Sequence, residues 1–231
     1  MSRWLQIWQE QSSSLGPRTT TPADARVVAE RVIDELQLNP GARILDWGCG
    51  PAHGSELLAE RGIEVLLFDR AHHFIQAASQ HYASCERVHV LNESELRELP
   101  EHSMDAVLLC SVLQYLDDTE VNDVLQLASR LLKPSGALAL IDVIPKAQRL
   151  GSELRDVLNS DVLAVAPSAA ARNLLALSLS LGRRLRWGLH LRRFEASELI
   201  EVLDRHGLRG SPCAHNFKPS RSRQTWIAKP Q

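Results

Sequence analysis

The sequence predicts an α/β fold: a doubly wound sheet of seven strands, mostly parallel, that ends in an antiparallel hairpin. Three observations lead there. The apolar run Ile44-Leu45-Asp46-Trp47 enters a glycine turn, Gly48-Cys49-Gly50; a helix-compatible segment follows, and a second apolar run from Glu64 to Phe68 ends in Asp69. Together these outline one β-α-β unit. Further short apolar runs then alternate with segments of helical period, as a parallel sheet with crossover helices requires. Last, the runs Ser211 to Phe217 and Arg223 to Lys229 read as two short strands joined by Lys218-Pro219-Ser220.

The bulk properties suit this fold and exclude several classes of function. A chain of 231 residues with 44% hydrophobic and 23% charged content is expected to form one domain, large enough for a central sheet covered on both faces. We divide it into N-terminal helices (1–40), a ligand-binding core (41–145), a helical cap insertion (146–193), and a last helix with the terminal hairpin (194–231). A net charge of −2 gives no global attraction to nucleic acid, so none is expected as a partner. Cys49, Cys85, Cys110 and Cys213 lack ligand-like spacing, so no metal is expected, and reduced thiols in a cytoplasmic protein are the simplest reading. The first ten residues contain no continuous apolar core, and no run reaches membrane-spanning length.

Taken in order, Trp4, Leu5, Ile7 and Trp8 fall on one face of a short helix that can clip onto the domain. Thr21-Pro22-Ala23-Asp24 caps the next helix, which carries Val28, Val32 and Leu36 and stops at Asn39-Pro40-Gly41. After the glycine turn, Ser55 to Arg61 is a helix closed by Gly62. Arg70 to Ala83 is helical by pattern, Arg87 to Leu91 is a third strand, and Asn92-Glu93-Ser94-Glu95 is an acidic loop. Ser103 to Cys110 forms the fourth strand. Asp117-Asp118 opens a helix that runs to Leu131-Leu132, and Leu138 to Ile144 is a strand apolar on both faces. Pro145 to Arg193 is longer than a crossover needs. It reads as helices over Ser152 to Leu163 and Ala169 to about Leu181, then an arginine-rich run over 183–193. Glu195 to His206 is an amphipathic helix closed by Gly207.

The glycine turn is suited to a nucleoside. Gly48 and Gly50 let a ligand lie against bare backbone, and Asp69 can accept both hydroxyls of a ribose. Asp46, inside the turn, would repel a pyrophosphate and suits a cationic ligand instead. Leu45-Asp46-Trp47-Gly48-Cys49-Gly50 resembles the first motif of the class I S-adenosylmethionine-dependent methyltransferases. The strand end at Cys110 with Ser111 to Leu116, the phrase Leu131-Leu132-Lys133-Pro134-Ser135-Gly136 and the terminal hairpin are similar to other features of that family. The chain departs from the pattern at Pro51 and Ala52, where the family has a small residue and a third glycine; a slightly shifted loop is expected there.

The resemblance implies a Rossmann-like methyltransferase domain with S-adenosyl-L-methionine as cofactor and a small-molecule acceptor, for instance a secondary metabolite or lipid-like compound. It implies donor contacts from Asp46, Gly48, Cys49, Gly50, Asp69, Arg70, Cys110 and Gln114. An adenine contact would come from Glu93, Ser94 or Glu95, with the choice among them open. It places acceptor recognition in the 146–193 insertion, whose arginines serve an anionic group, peripheral contact with a membrane surface, or simply a solvated face. Tyr115 is either a substrate contact or a half-buried aromatic. A base is needed only for a hydroxyl or protonated amine acceptor, and His53, His190 and His215 are the candidates alongside Tyr115. Two other functions remain open at this point: a donor-binding scaffold without turnover, and a nicotinamide-dependent oxidoreductase.

Overall fold

The computed structural model describes Trp8 and residues 22–147, 191–218, 220 and 222–231. The seven strands are β1 (Arg43–Trp47), β2 (Glu64–Phe68), β3 (Val88–Val90), β4 (Met104–Cys110), β5 (Leu132–Val143), β6 (Leu208–Pro212) and β7 (Gln224–Pro230). They form one sheet in the order β3-β2-β1-β4-β5-β7-β6. The first five pair in parallel, while β7 runs antiparallel to both β5 and β6. The expected doubly wound sheet with its terminal hairpin is therefore present.

Both faces are buried, which explains why the strands are apolar at successive positions. Ile44, Val65, Leu67, Ala106, Leu108 and Ile141 point to one face. There they meet α1 (Pro22–Leu36), α2 (Ser55–Glu60) and α3 (His72–His81) through Val28, Val32, Leu57, Leu58 and Ala78. Leu45, Leu66, Val107, Leu109, Leu138 and Leu140 point to the other. They pack under α4 (Glu93–Glu98), α5 (Asp118–Leu131) and α6 (Ala196–Arg205) through Leu96, Val121, Leu125, Leu199 and Leu203. No helix among the described residues is long and apolar enough to cross a membrane.

Several boundaries differ from expectation for local reasons. The acidic stretch after β3 is not a loop. Asn92 accepts hydrogen bonds from the Ser94 and Glu95 N–H groups at 2.9 and 3.0 Å, and Glu95 reaches back to the Asn92 N–H at 2.7 Å. That reciprocal capping box starts α4. A second box, Asp117 with Glu120, starts α5 as the paired carboxylates suggested. Helix α3 begins two residues later than expected because Ala71, still extended, gives its N–H to Asp69 at 2.8 Å. Strand β6 is Leu208–Pro212 rather than 211–217, since Gly207, at φ +68°, ends α6 and turns the chain at once into pairing with β7. Phe217 is buried as the anchor of the following loop, its N–H donating to Thr225 Oγ1. The helical insertion expected over 146–193 lies almost entirely outside the described residues, as do Trp4 to Ile7.

Strand β5 starts at Leu132, earlier than the apolar run indicates. Leu132 pairs with Met104 and pairing resumes at Ala137 with Ala106, so residues 133–136 bulge out of the ladder. Lys133 Nζ crosses this bulge to both oxygens of Asp105, at 2.9 and 2.8 Å. A Cβ on Gly136 would stand 2.9, 3.0 and 3.1 Å from the carbonyl oxygens of Met104, Lys133 and Asp105. These are backbone atoms of two paired strands and have little room to give. Gly136→Ala should therefore destabilise the protein by about 1–3 kcal/mol. Urea unfolding checks this: a lower midpoint at unchanged slope is expected.

Candidate functional site

The site forms where β1, β2 and β4 present their carboxyl ends, at the crevice between β1 and β4 where strand order reverses. The glycine turn after β1 is closed by two bonds to one acceptor: Gly48 and Cys49 both donate to the Phe68 carbonyl, at 2.7 and 3.1 Å. Gly48 lies at φ +78°, and a Cβ there would meet Val112 Cγ2 at 2.6 Å, so both conformation and space demand glycine. At Gly50 a Cβ would meet nothing within 4 Å, which marks the open side of the turn. Ala52, in the position of the family's third glycine, keeps a left-handed φ of +54°. Its carbonyl accepts a 2.7 Å bond from the Tyr82 hydroxyl, and this contact holds the departing loop.

Asp69 sits across from this turn. One carboxylate oxygen accepts the Gly50 N–H at 2.9 Å and the other the Ala71 N–H at 2.8 Å. Each oxygen has a second lone-pair site, so the two can accept a pair of vicinal hydroxyls while staying fixed by the backbone. Burial raises the Asp69 pKa, and the two backbone N–H groups, His73 and Arg70 pull against it. Asp46 lacks such support. Its Oδ1 is buried without a hydrogen-bond partner among the described residues. Burial, reinforced by the charge of Asp69, pushes its pKa up to about 7. A buried carboxyl with an unmet oxygen is costly unless a ligand supplies the partner.

The other residues anticipated for the donor divide into two groups. Cys49 is buried and its thiol pKa stands well above the ordinary value, mainly through burial and then Asp46 and Asp69. Cys110 is pushed up to about 12 by burial, with Lys218, Asp142 and Asp46 the charges that bear on it. Both thiols stay protonated, so neither offers a nucleophilic thiolate. Gln114 is 3% exposed, and its Oε1 is another buried acceptor without a partner among the described residues. Arg70 turns away from Asp69 to Glu120 Oε1 at 2.8 Å and stacks over Trp47 at 5.3 Å. Glu93 pairs with Arg97, the Ser94 hydroxyl donates to Glu98, and Glu95 is held in its capping box. All three of these side chains thus have occupations on α4.

Among the candidate bases, His53 and His215 are exposed, and His190 lies outside the described residues. Tyr115 is half-buried and meets Trp8 edge-on at 5.6 Å; Trp8 also contacts Phe74 at 6.2 Å. Trp8, helical as expected, thus bridges the start of α3 and the turn of 3-10 helix at Leu113–Tyr115. His73, next to Phe74, has a buried Nε2 without a partner among the described residues. Sequence reasoning missed a polar cluster at the ends of β4 and β5. Ser111 Oγ donates to Asp142 Oδ2 at 2.7 Å, with Lys218 and Arg223 beside it. The signal available was a single carboxylate, Asp142, inside the otherwise apolar run from Ala137 to Ile144.

The open turn at Gly50, the paired oxygens of Asp69 and the unmet oxygen of Asp46 fit a nucleoside that carries positive charge and no phosphate. Residues 45–140 match the family model described as a methyltransferase domain. The chain is 29% identical over 127 residues to the malonyl-[acyl-carrier protein] O-methyltransferase of Serratia marcescens, covering 55% of this chain and 48% of that protein. It is 34% identical over 128 residues to the ubiquinone biosynthesis O-methyltransferase of Xanthomonas oryzae pv. oryzae, covering 54% and 52%. It therefore spans about half the length of these relatives. Among solved structures, a SAM-dependent methyltransferase from Leishmania major superposes with a TM-score of 0.62 at 13% identity, over 98% of this chain and 81% of that one. One from Archaeoglobus fulgidus gives 0.55 at 18%, over 89% and 94%. At such identities these two show the shared fold. Residues 45–140 are thus similar to a methyltransferase domain, and the sheet that carries them is the fold that these solved methyltransferases share.

Proposed function

We propose that this chain transfers the methyl group of S-adenosyl-L-methionine to an oxygen of a small-molecule acceptor, a secondary metabolite or lipid-like compound. The observation that carries the donor assignment is Asp46, a buried carboxyl with an unmet oxygen beside the glycine turn. Support for an oxygen acceptor comes from the relatives, two of which are O-methyltransferases by name.

When bound, the donor supplies a methyl carbon on a positively charged sulfur. An acceptor lone pair would attack that carbon in line, and the C–S electron pair would leave on a neutral thioether. The chain's residues need mainly to bind, orient and exclude water, so alignment supplies much of the acceleration. Asp69 would fix the ribose hydroxyls while its own position is set by Gly50 and Ala71. Asp46, once ionised, would take the donor's ammonium group, and Gln114 Oε1 offers a second buried acceptor in the 3-10 turn that follows β4. The apolar and aromatic groups Val112, Tyr115 and Trp8 would shield the reacting centre from water. No acid is needed for the leaving thioether. A carboxylate acceptor would need no base either, whereas a hydroxyl acceptor would.

Two measurements test the donor site. Calorimetric titration of Asp69→Ala should show donor binding weaker by about 1.5–3 kcal/mol, the worth of charge-assisted hydrogen bonds; undiminished affinity in a folded variant removes Asp69 from the site. Titration of the wild type against S-adenosyl-L-methionine and a nicotinamide dinucleotide also separates methyl transfer from hydride chemistry, since only the first should bind.

The raised pKa of Asp46 gives the second test, and its sign is fixed. With an unfolded-state value of 3.8 and a folded value of about 7, the ligand-free native state holds the extra proton between them. Stability is therefore lost as pH rises through that window. Asp46→Asn should accordingly stabilise the free protein near neutral pH and not near pH 4, as read from paired thermal melts. A cationic donor requires the carboxylate, so its affinity should be roughly eightfold weaker at about pH 6 than at about pH 7.5. In Asp46→Asn the donor should bind weakly and without that slope.

A further inference from the structure

We infer that Arg192 is a positioning residue: it locks the 3-10 turn at Leu113–Tyr115 and, through that turn, sets the buried amide of Gln114 against the amino-acid part of the methyl donor. That Gln114 meets the donor rests on the reading above; that Arg192 holds the turn rests on its own contacts.

The turn leaves one carbonyl to be met from outside. The Tyr115 N–H donates to the Val112 carbonyl at 2.9 Å, and the Leu116 N–H to the Leu113 carbonyl at 3.2 Å. The next bond in that series would bring the Asp117 N–H to the Gln114 carbonyl. Asp117 instead gives its N–H to Glu120 Oε2 at 3.0 Å, within the capping box that starts α5. The Arg192 N–H takes the vacated place and donates to the Gln114 carbonyl at 3.0 Å. Arg192 stands beside a backbone clip at the end of β5: the Phe194 N–H donates to the Ile144 carbonyl at 2.9 Å, and the Lys146 N–H to the Phe194 carbonyl at 3.0 Å.

The Arg192 side chain fixes where that N–H stands. Its Nη2 lies 2.7 Å from Asp118 Oδ1, at the first residue of α5, and 3.4 Å from Glu198 Oε1, in the first turn of α6. The guanidinium also lies over the Phe194 ring at 4.6 Å. The other oxygen of Glu198 pairs with Lys146 Nζ at 3.0 Å, so the two strands of the clip share one carboxylate. A planar fork that reaches the starts of two helices and an aromatic face is geometry that lysine does not reproduce. Asp118 is largely exposed, so its pairing adds little to global stability; what it governs is where the turn sits. Gln114 is 3% exposed, and its Oε1 is buried with no partner among the described residues. A turn with only a structural task would take an apolar side chain there, as it does at Val112 and Leu113, and would avoid the cost of the unmet oxygen. An amide held by its own backbone carbonyl, with its acceptor open, suits a ligand N–H, and the donor's ammonium group brings such N–H groups.

The test titrates the full chain with S-adenosylhomocysteine and with methylthioadenosine, which shares its nucleoside and thioether but lacks the amino-acid part. R192Q should bind S-adenosylhomocysteine roughly threefold to tenfold more weakly, the effect of one misplaced hydrogen bond, and methylthioadenosine as the wild type does. R192K, which keeps the charge without the fork, should fall between. Q114M, which keeps the volume and removes the acceptor, should show the same selective loss. Adding R192Q to Q114M should then cost nothing more, because a residue that acts through Gln114 has nothing left to position. If R192Q does not fold, D118N, changed at an exposed position, carries the comparison. An equal loss for both ligands would mean a merely structural role and overturn the inference. Unchanged S-adenosylhomocysteine affinity, or losses that add in the double variant, would overturn it too. Failure of S-adenosylhomocysteine to bind the wild type would instead sink the methyltransferase reading. Hydrogen exchange at the Arg192 amide would then decide the clamp, faster exchange in D118N supporting it and unchanged exchange overturning it.

Discussion

Two carboxyl groups that burial opposes, Asp46 and Asp69, set the terms for the rest of the site. They stand at the ends of adjacent parallel strands, close enough that the charge of one raises the pKa of the other. Nature of support separates them. Burial raises the Asp69 pKa, but Gly50 and Ala71 donate to it and offset part of that cost, and those bonds require the glycine turn and the delayed start of α3. Asp46 has no comparable donor on its buried oxygen among the described residues. The glycine turn and the late start of α3 supply the two N–H groups that hold Asp69 in place. A sheet buried on both faces supplies the rigidity, since neither strand can slip in register without exposing Ile44, Leu45, Val65 or Leu66.

Much of this was legible in the chain because it depends on local pattern. Apolar runs gave the parallel strands, since a strand covered on both faces needs no polar alternation. Gly48, Gly50 and Asp69 announced the turn because few other residues can serve there. The paired Asp117 and Asp118 gave the start of α5. What stayed hidden depends on distant partners. Asn92 and Glu95 satisfy the rule for a capping box, but their short helix carries Leu96 alone as a buried residue, too little periodicity to detect. The start of β5 at Leu132 depends on a pairing with Met104 across a bulge, and β6 was displaced because Phe217, an aromatic in an apparently alternating run, is buried from a loop. The expectation at Arg70 concerned its backbone beside Asp69; the reach of its side chain to Glu120 and Trp47 is a property of the folded surface that adjacency does not reveal.

The polar cluster on Asp142 shows how a buried ionic group can be written in residues that local pattern disguises. Ser111, Asp142, Lys218 and Arg223 are far apart in sequence, and only the β4–β5 and β5–β7 pairings bring them together. A lone carboxylate in an apolar run is tolerated at Asp142 because Ser111 and Arg223 donate to its Oδ2 and Lys218 stands beside it, whereas Asp46, on the β1 side of β4, keeps a buried oxygen that no described residue meets.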